Sequence, residues 1–303
     1  MMPQSNYPIV LAQGIARFDF LLDYFIKSLS VFGFDIAPAT EGLHYFKGIA
    51  RYLREKGFDL YHTRVSFAAR VETRAEDLRN EIEKILSLKG RDKVHIIAHS
   101  MGGLDARHMI VNLGMAEKVA SLTTIGTPHL GTSFADWGLA NGRHETVKLI
   151  SRVIDFAGVE DLKTDACKEF NERARQMEAS NGVVYQTYAA AEEQKLVFAP
   201  LQLSWQVINE AEGENDGLVS LTSQLWQSEL TSGGGQQKII RQNRFPMPAD
   251  HLNEVGWWDI NELRNSRWWS TNIIKAAQDY EQSIKDVYLK IAREVSSLQI
   301  LPP

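Results

Sequence analysis

The stretch Val94-His95-Ile96-Ile97-Ala98-His99-Ser100-Met101-Gly102-Gly103 decides how this chain is read. A short apolar run with the length of a buried strand ends at Ala98, a serine follows, and residues 101–113 carry a helical pattern. Small residues stand two before and two after the serine: Ala98, in a place glycine usually takes, and Gly102. A strand that passes directly into a helix leaves no room for bulk at those flanks. The residue between them is held in a strained turn with its side chain clear of the sheet. Ser100 is therefore a candidate nucleophile. The backbone N–H of Met101, at the start of the helix, points where a carbonyl oxygen gains charge. A bare Ser-Met-Gly-Gly run is an ordinary turn, and the strand–turn–helix context gives it chemical meaning.

Outward from this point the chain alternates strand and helix. Residues 9–12, 58–65, 94–98 and 119–125 read as strands. Between them, residues 45–56, 72–88 and 101–113 read as helices, and Gly57 is placed to close the first. Such alternation predicts an α/β fold with a mostly parallel sheet and helices on both faces. The pattern breaks after Gly131. Residues 134–177 look helical or irregular, and a strand resumes over 182–191. The expectation is one domain spanning residues 1–303, with a helical lid or cap inserted at roughly 132–180. Residues 232–237, Ser-Gly-Gly-Gly-Gln-Gln, read as a flexible loop. Residues 272–298 read as a terminal helix whose apolar face (Ile284, Tyr288, Ile291, Val295) packs on the core.

Composition narrows the function. The 303 residues are 44% hydrophobic and 23% charged, ordinary values for a folded, water-soluble chain. A formal net charge of −5 gives no electrostatic case for nucleic acid as a partner. Cys167 is the single cysteine, so no internal disulfide forms. There is no basic start followed by an apolar stretch and a cleavage site, and no apolar run of about 18 residues. Those absences favour the cytoplasm, with a mature or leaderless secreted form left open.

A serine needs a base, and the base needs an orienting acid. Where the nucleophile sits on this kind of elbow, the chain order is serine, acid, histidine. Asp216, in Glu214-Asn215-Asp216-Gly217, and His251, in Ala249-Asp250-His251-Leu252, fit that order. On its own Asn-Asp-Gly is a surface turn, and a lone histidine is a surface or core residue. His129 and His144 precede the downstream acids, and His99 adjoins the serine but points another way from it. Glu254 is the reserve candidate for the acid. The second oxyanion donor is expected after the first strand, at the backbone N–H of Ile15, where Gly14 permits close approach.

Six segments taken together resemble the bacterial triacylglycerol lipases, the family I true lipases of the α/β-hydrolase superfamily. They are residues 7–14, 98–103 and 125–131, Leu162-Lys163-Thr164 with Phe170-Asn171, residues 215–219, and residues 251–255. The resemblance implies a Ser100–His251–Asp216 triad with Ile15 and Met101 as oxyanion donors. It also implies an acyl-enzyme intermediate in acylglycerol ester hydrolysis, and a lid that touches the lipid interface. An esterase, phospholipase or thioesterase using the same triad, or a non-catalytic lipid-binding protein, stands as the alternative.

The departures are specific. Gln13-Gly14 stands where the family has His-Gly. Asn253 stands where the family's calcium site has an aspartate, and no aspartate lies between residues 166 and 215 to supply another. Calcium requires several hard oxygens, so no metal or cofactor is expected, and the packing of Trp257-Trp258 replaces its bracing of the His251 loop. Four of the seven tryptophans, at positions 257, 258, 268 and 269, crowd near that loop, as packing or as an aromatic lipid contact. Arg17 faces either an acidic group on substrate or a salt bridge with Asp19 or Asp23.

Overall fold

Alternate side chains of the short apolar strands find core on opposite sides. Ile9 and Leu11 enter one apolar cluster, whereas Val10 and Ala12 enter another. Ile97 joins the first cluster, and Ile96 and Ala98 the second. Burial on both faces is what a parallel sheet under two helical layers requires. The computed structural model describes residues 7–15, 45–66, 69–141, 156–257 and 273–298. Arg17, His144, Trp258, Trp268 and Trp269 lie outside the described residues.

The main sheet holds β1 (Ile9–Ala12), β2 (Leu60–His62), β3 (Val94–His99), β4 (Val119–Ile125), β5 (Val184–Ala189) and β8 (Arg241–Arg244). Their order is β2-β1-β3-β4-β5-β8, and every described pair is parallel. One apolar cluster is completed by α1 (Ile49–Glu55) and α8 (Ile273–Ser296), through Ile49, Leu53, Ile284, Tyr288 and Ile291. The other is completed by α2 (Val71–Lys89) and α3 (Met101–Asn112), through Leu78, Ile82, Ala106 and Met109. Among the described residues no helix is long and apolar enough to cross a membrane.

Two expectations change in detail. Helix α1 starts at Ile49, not at residue 45, because Gly48 takes φ 68° and the Lys47 N–H is committed to the Val255 carbonyl. Residues 232–237 form a tight turn closing an antiparallel hairpin of β6 (Glu229–Thr231) and β7 (Gln237–Ile239). The Ser232 N–H donates to Gln236 O at 2.9 Å, and Gly235 at φ 80° donates to Ser232 O at 3.0 Å.

Between β4 and β5 the described chain forms α4 (Ser133–Ala140), a 3₁₀ turn (Phe156–Leu162) and α5 (Thr164–Ser180), and α6 (Gln202–Glu212) and α7 (Leu221–Leu225) follow β5. Helix α5 is fastened by a buried cation. The Arg107 guanidinium of α3 donates to both Glu178 oxygens, at 2.7 and 2.9 Å, and to Asn171 Oδ1 at 2.8 Å. It lies 3.9 Å from the Trp226 ring centroid and 4.8 Å from that of Phe170. Removing one partner of such a pair leaves a charge buried without compensation. Glu178→Ala is therefore expected to lower unfolding free energy by about 3–5 kcal/mol, measured by urea denaturation. A loss below about 1 kcal/mol, the scale of an exposed pair, would contradict this role.

Candidate active site

The sheet register builds the site. Ala12 pairs with Ala98, so the carboxyl ends of β1 and β3 set Gln13-Gly14 beside His99-Ser100. At the elbow Ser100 takes φ 57°, ψ −136°, a backbone state that costs a non-glycine residue about 1–3 kcal/mol. Close packing enforces it. A Cβ on Gly102 would stand 2.7 Å from the carbonyl oxygens of Ala12 and Gln13. A Cβ on Gly103 would collide with the Thr127 side chain. Ser100 N–H donates to Ile125 O at 2.9 Å, and Thr127 Oγ1 donates to Ser100 O at 2.8 Å. The Gly126-Thr127 segment is thus part of the elbow's support, a role the sequence alone did not assign.

Ser100 at the end of β3, Asp216 in the turn between the helices Gln202–Glu212 and Leu221–Leu225, and His251 in the loop after β8 converge. Ser100 Oγ lies 2.9 Å from His251 Nε2, and His251 Nδ1 lies 2.7 Å from Asp216 Oδ2. The other Asp216 oxygen accepts the N–H groups of Leu218 and Val219, at 2.8 and 2.7 Å. Asn215 Oδ1 accepts the Gly217 N–H at 2.8 Å, so the Asn-Asp-Gly turn is built to present the carboxylate inward. Asp216 is fully buried. The His251 N–H also donates to Asp216 O at 2.9 Å, which locks the two loops together. Met101 is the first residue of α3, and Ile15 is buried beside the elbow, one residue past Gly14. A Cβ on Gly14 would stand 2.6 Å from Ser100 Cβ. His129 faces away: Arg107 donates to its Nδ1, and its Nε2 contacts Thr124 Oγ1 at 2.8 Å. Burial, then the Arg107 charge, holds it neutral.

Residues 5–194 match the family model described as the alpha/beta hydrolase fold. The chain belongs to the α/β-hydrolase fold family. Triacylglycerol lipase 2 of Saccharomyces cerevisiae is 29% identical to this hydrolase, covering 84% of this chain and 74% of the relative. The triacylglycerol lipase of Vibrio cholerae is also 29% identical, over 83% of this chain and 80% of the relative. Lipase 1 from Pelosinus fermentans superposes with a TM-score of 0.61 at 18% identity, covering 99% of this chain and 100% of that one. Staphylococcus hyicus lipase gives 0.59 at 20% identity, with 98% of each chain covered. At such identity the structural likeness concerns the fold alone.

The hydrolase carries a second buried chain of polar groups beside the first. The His99 ring lies against that of His251, centroids 4.5 Å apart and planes tilted by 45°, yet its two nitrogens bond elsewhere. Its Nδ1 meets Tyr45 OH at 2.7 Å and its Nε2 meets Glu254 Oε2 at 3.0 Å. This contact has the spacing of an ion pair, but burial drives it neutral. Burial pushes the Glu254 carboxyl well above its ordinary value, helped by the charges of Asp216 and Asp250, and pushes His99 well below its own. Among the described residues Glu254 Oε1 meets no hydrogen-bond donor, an arrangement that a buried carboxylate tolerates badly. Gly126, at φ 57°, is what admits Glu254: a Cβ there would collide with its carboxyl group. Glu254 Oε2 is 3.8 Å from His251 Nδ1, beyond hydrogen-bond reach. Sequence reasoning weighed Glu254 as a reserve acid and gave no sign of Tyr45, which joins His99 from 54 positions away.

The loop bearing His251 is held by protein groups. Asn253 Oδ1 accepts from Asp250 N–H at 3.0 Å and Tyr280 OH at 3.1 Å, and its Nδ2 donates to Trp257 O at 2.9 Å. Both Asp250 oxygens accept backbone N–H groups, from Phe198, Leu252 and Asn253. Trp257 Nε1 donates to Tyr45 O at 3.1 Å. These oxygens point at donors, so this set does not fit a calcium ion.

The neutral Glu254 makes a signed prediction. It holds a proton when folded and loses it when unfolded above its ordinary pKa of 4.5, so its contribution falls as pH rises toward the raised folded value. Glu254→Gln keeps a neutral group there. Its stability relative to the native chain should rise from about pH 5 to pH 8, followed by thermal unfolding. Most esterase turnover should remain. A flat stability difference, or loss of turnover as deep as that of Asp216→Asn, would contradict the assignment.

Proposed function

We propose that this chain is a carboxylic ester hydrolase acting on acylglycerols as a triacylglycerol lipase. The observation that carries the reading is the continuous Ser100–His251–Asp216 hydrogen-bond chain, at 2.9 and 2.7 Å, on a strained elbow. His251 Nε2 takes the Ser100 proton as Oγ attacks the acyl carbonyl. Asp216 holds the tautomer with Nδ1–H and stabilises the imidazolium. The N–H groups of Ile15 and Met101 receive the oxyanion. His251 then protonates the leaving alcohol, an acyl-enzyme forms on Ser100, and water activated by His251 releases the fatty acid. The names of the relatives, triacylglycerol lipases at 29% identity over most of the chain, support an acylglycerol substrate.

The cap is assigned to the inserted segment, roughly residues 132–180, which would contact the lipid interface. Within it, α5 serves as the crossover from β4 to β5 and is anchored through Glu178. The Phe156–Leu162 turn packs against the elbow: a Cβ on Gly158 would stand 3.1 Å from Met101 Sδ. Asp161 ties that turn to the start of α2, accepting from Val71 N–H at 2.8 Å and from Arg70. The reading includes no metal cofactor, because the Asn253 and Asp250 oxygens already serve N–H and O–H donors.

Ser100→Ala should abolish ester hydrolysis while leaving the circular dichroism spectrum and melting temperature intact, and retained turnover in that variant would overturn the assignment. A series of nitrophenyl esters of increasing chain length, run with and without chelator, should favour long acyl chains and be insensitive to chelation. Preference for short acyl chains would favour an esterase. Chelator inhibition reversed by calcium would contradict the reading of the His251 loop.

A further inference from the structure

We propose that Tyr45 and Arg74 are positioning residues of the oxyanion hole, which together clamp the Gln13–Gly14 peptide from its two sides. The inference rests on the reading of Ile15 N–H as an oxyanion donor. On one side, Arg74 Nη2 donates to Gln13 O at 3.0 Å. On the other, the Tyr45 hydroxyl lies against Gly14, where a Cβ would stand 2.8 Å from its oxygen. The peptide carbonyl is thereby hydrogen-bonded and the Gly14 α-carbon abutted, so the plane that leads into Ile15 cannot rotate without breaking the bond or meeting the hydroxyl.

Each clamp is anchored to the elbow. Arg74 is fully buried on α2 and forms a bidentate pair with Asp105, with Nε 3.2 Å from Oδ1 and Nη2 2.8 Å from Oδ2. Asp105 lies on α3, one turn after Met101, which supplies the other donor. The remaining nitrogen of Arg74 donates to Ser66 O at 3.0 Å. Arg74 therefore fixes the β1 loop against the same helix that fixes Met101 N–H. Tyr45 OH is bonded to His99 Nδ1 at 2.7 Å, and His99 is the residue before the nucleophile. One group positions the loop against the helix after Ser100, and the other against the strand before it. A planar guanidinium suits this work because it addresses a carboxylate and a carbonyl at once. A lysine ammonium at the same place cannot hold that fork.

This arrangement explains how the loop functions with Gln13. The orientation of the Gln13–Gly14 peptide depends on backbone atoms, Arg74 and Tyr45, and none of the bonds on it requires the side chain at position 13. An oxyanion donor acts through geometry fixed before the charge develops, so a loosened loop weakens the transition state and leaves substrate binding unaltered.

The test uses the full chain with Tyr45→Phe, Arg74→Lys, Arg74→Met/Asp105→Leu and Ile15→Pro. The double variant removes both charges together, so no lone carboxylate is stranded if Arg74→Lys fails to fold. The readouts are kcat and KM on a soluble nitrophenyl ester, affinity for a trifluoromethyl ketone whose adduct carries an oxyanion, and melting temperature. The proposal expects each clamp variant to lose at least about 10-fold in kcat, below the about 10²–10³-fold of a donor removed outright. KM should be unchanged and ketone affinity should fall in parallel with kcat. Wild-type kcat in Tyr45→Phe and in the foldable Arg74 variant overturns the clamp, as does a fall in kcat with ketone affinity preserved. Ile15→Pro, which has no N–H, separates the two levels. Normal turnover in it overturns the donor reading and the clamp with it. A deficient Ile15→Pro beside clamp variants of wild-type behaviour overturns the clamp alone.

Discussion

The backbone of Ser100 is the constraint on which the rest of the site depends. At φ 57°, ψ −136° the serine stands where strand β3 has ended and α3 has not begun, and its side chain has no partner in either. Such strain persists only where the surroundings over-determine it. Here the determinants are the parallel register of β1 and β3, the bare faces of Gly102 and Gly103, and the Thr127 hydroxyl on the Ser100 carbonyl. Each brings the next part of the site with it. Gly102 lets the helix press on the Ala12–Gln13 backbone, which sets the oxyanion loop. Thr127 brings Gly126, which opens space for Glu254 behind His251.

Electrostatics then separates roles among acids that share one small volume. Glu254 and Asp250 are both pushed up, Asp250 to about 6, with burial as the leading cause. Asp216 differs from Glu254 in its hydrogen bonds. It accepts two backbone N–H groups and the His251 ring, a donor set suited to a carboxylate. Among the described residues, Glu254 has His99 on one oxygen and no donor on the other. Proximity alone therefore does not select the orienting acid, since both groups lie within 4 Å of His251 Nδ1. The donors around each carboxyl group do.

Much of this was legible in the sequence. The elbow was read from Ala98, Ser100 and Gly102, because small residues around a serine between strand and helix serve a local steric need. The order Ser100, Asp216, His251 was read from the topology that such an elbow implies, and the structure brings these three together. Strand β8, Arg241–Arg244, escaped because its sequence, Arg-Gln-Asn-Arg, has no apolar run; it lies at the end of the sheet and buries no side chain. The hairpin at 229–239 escaped for the same reason, its glycines reading as looseness where one of them supplies a positive φ. The Tyr45–His99–Glu254 chain and the Arg74–Asp105 pair were invisible. Their partners are brought together across many residues of chain by the fold, and no local spacing marks a pairing of that kind.

The direct test of Ser100 as the nucleophile activated by His251 is reaction with a nitrophenyl phosphonate ester. One nitrophenol should be released per chain, with a matching mass increase on the peptide carrying Ser100 and loss of hydrolysis in proportion to labelling. An adduct on another residue, or full hydrolytic activity in chains labelled at Ser100, would contradict it.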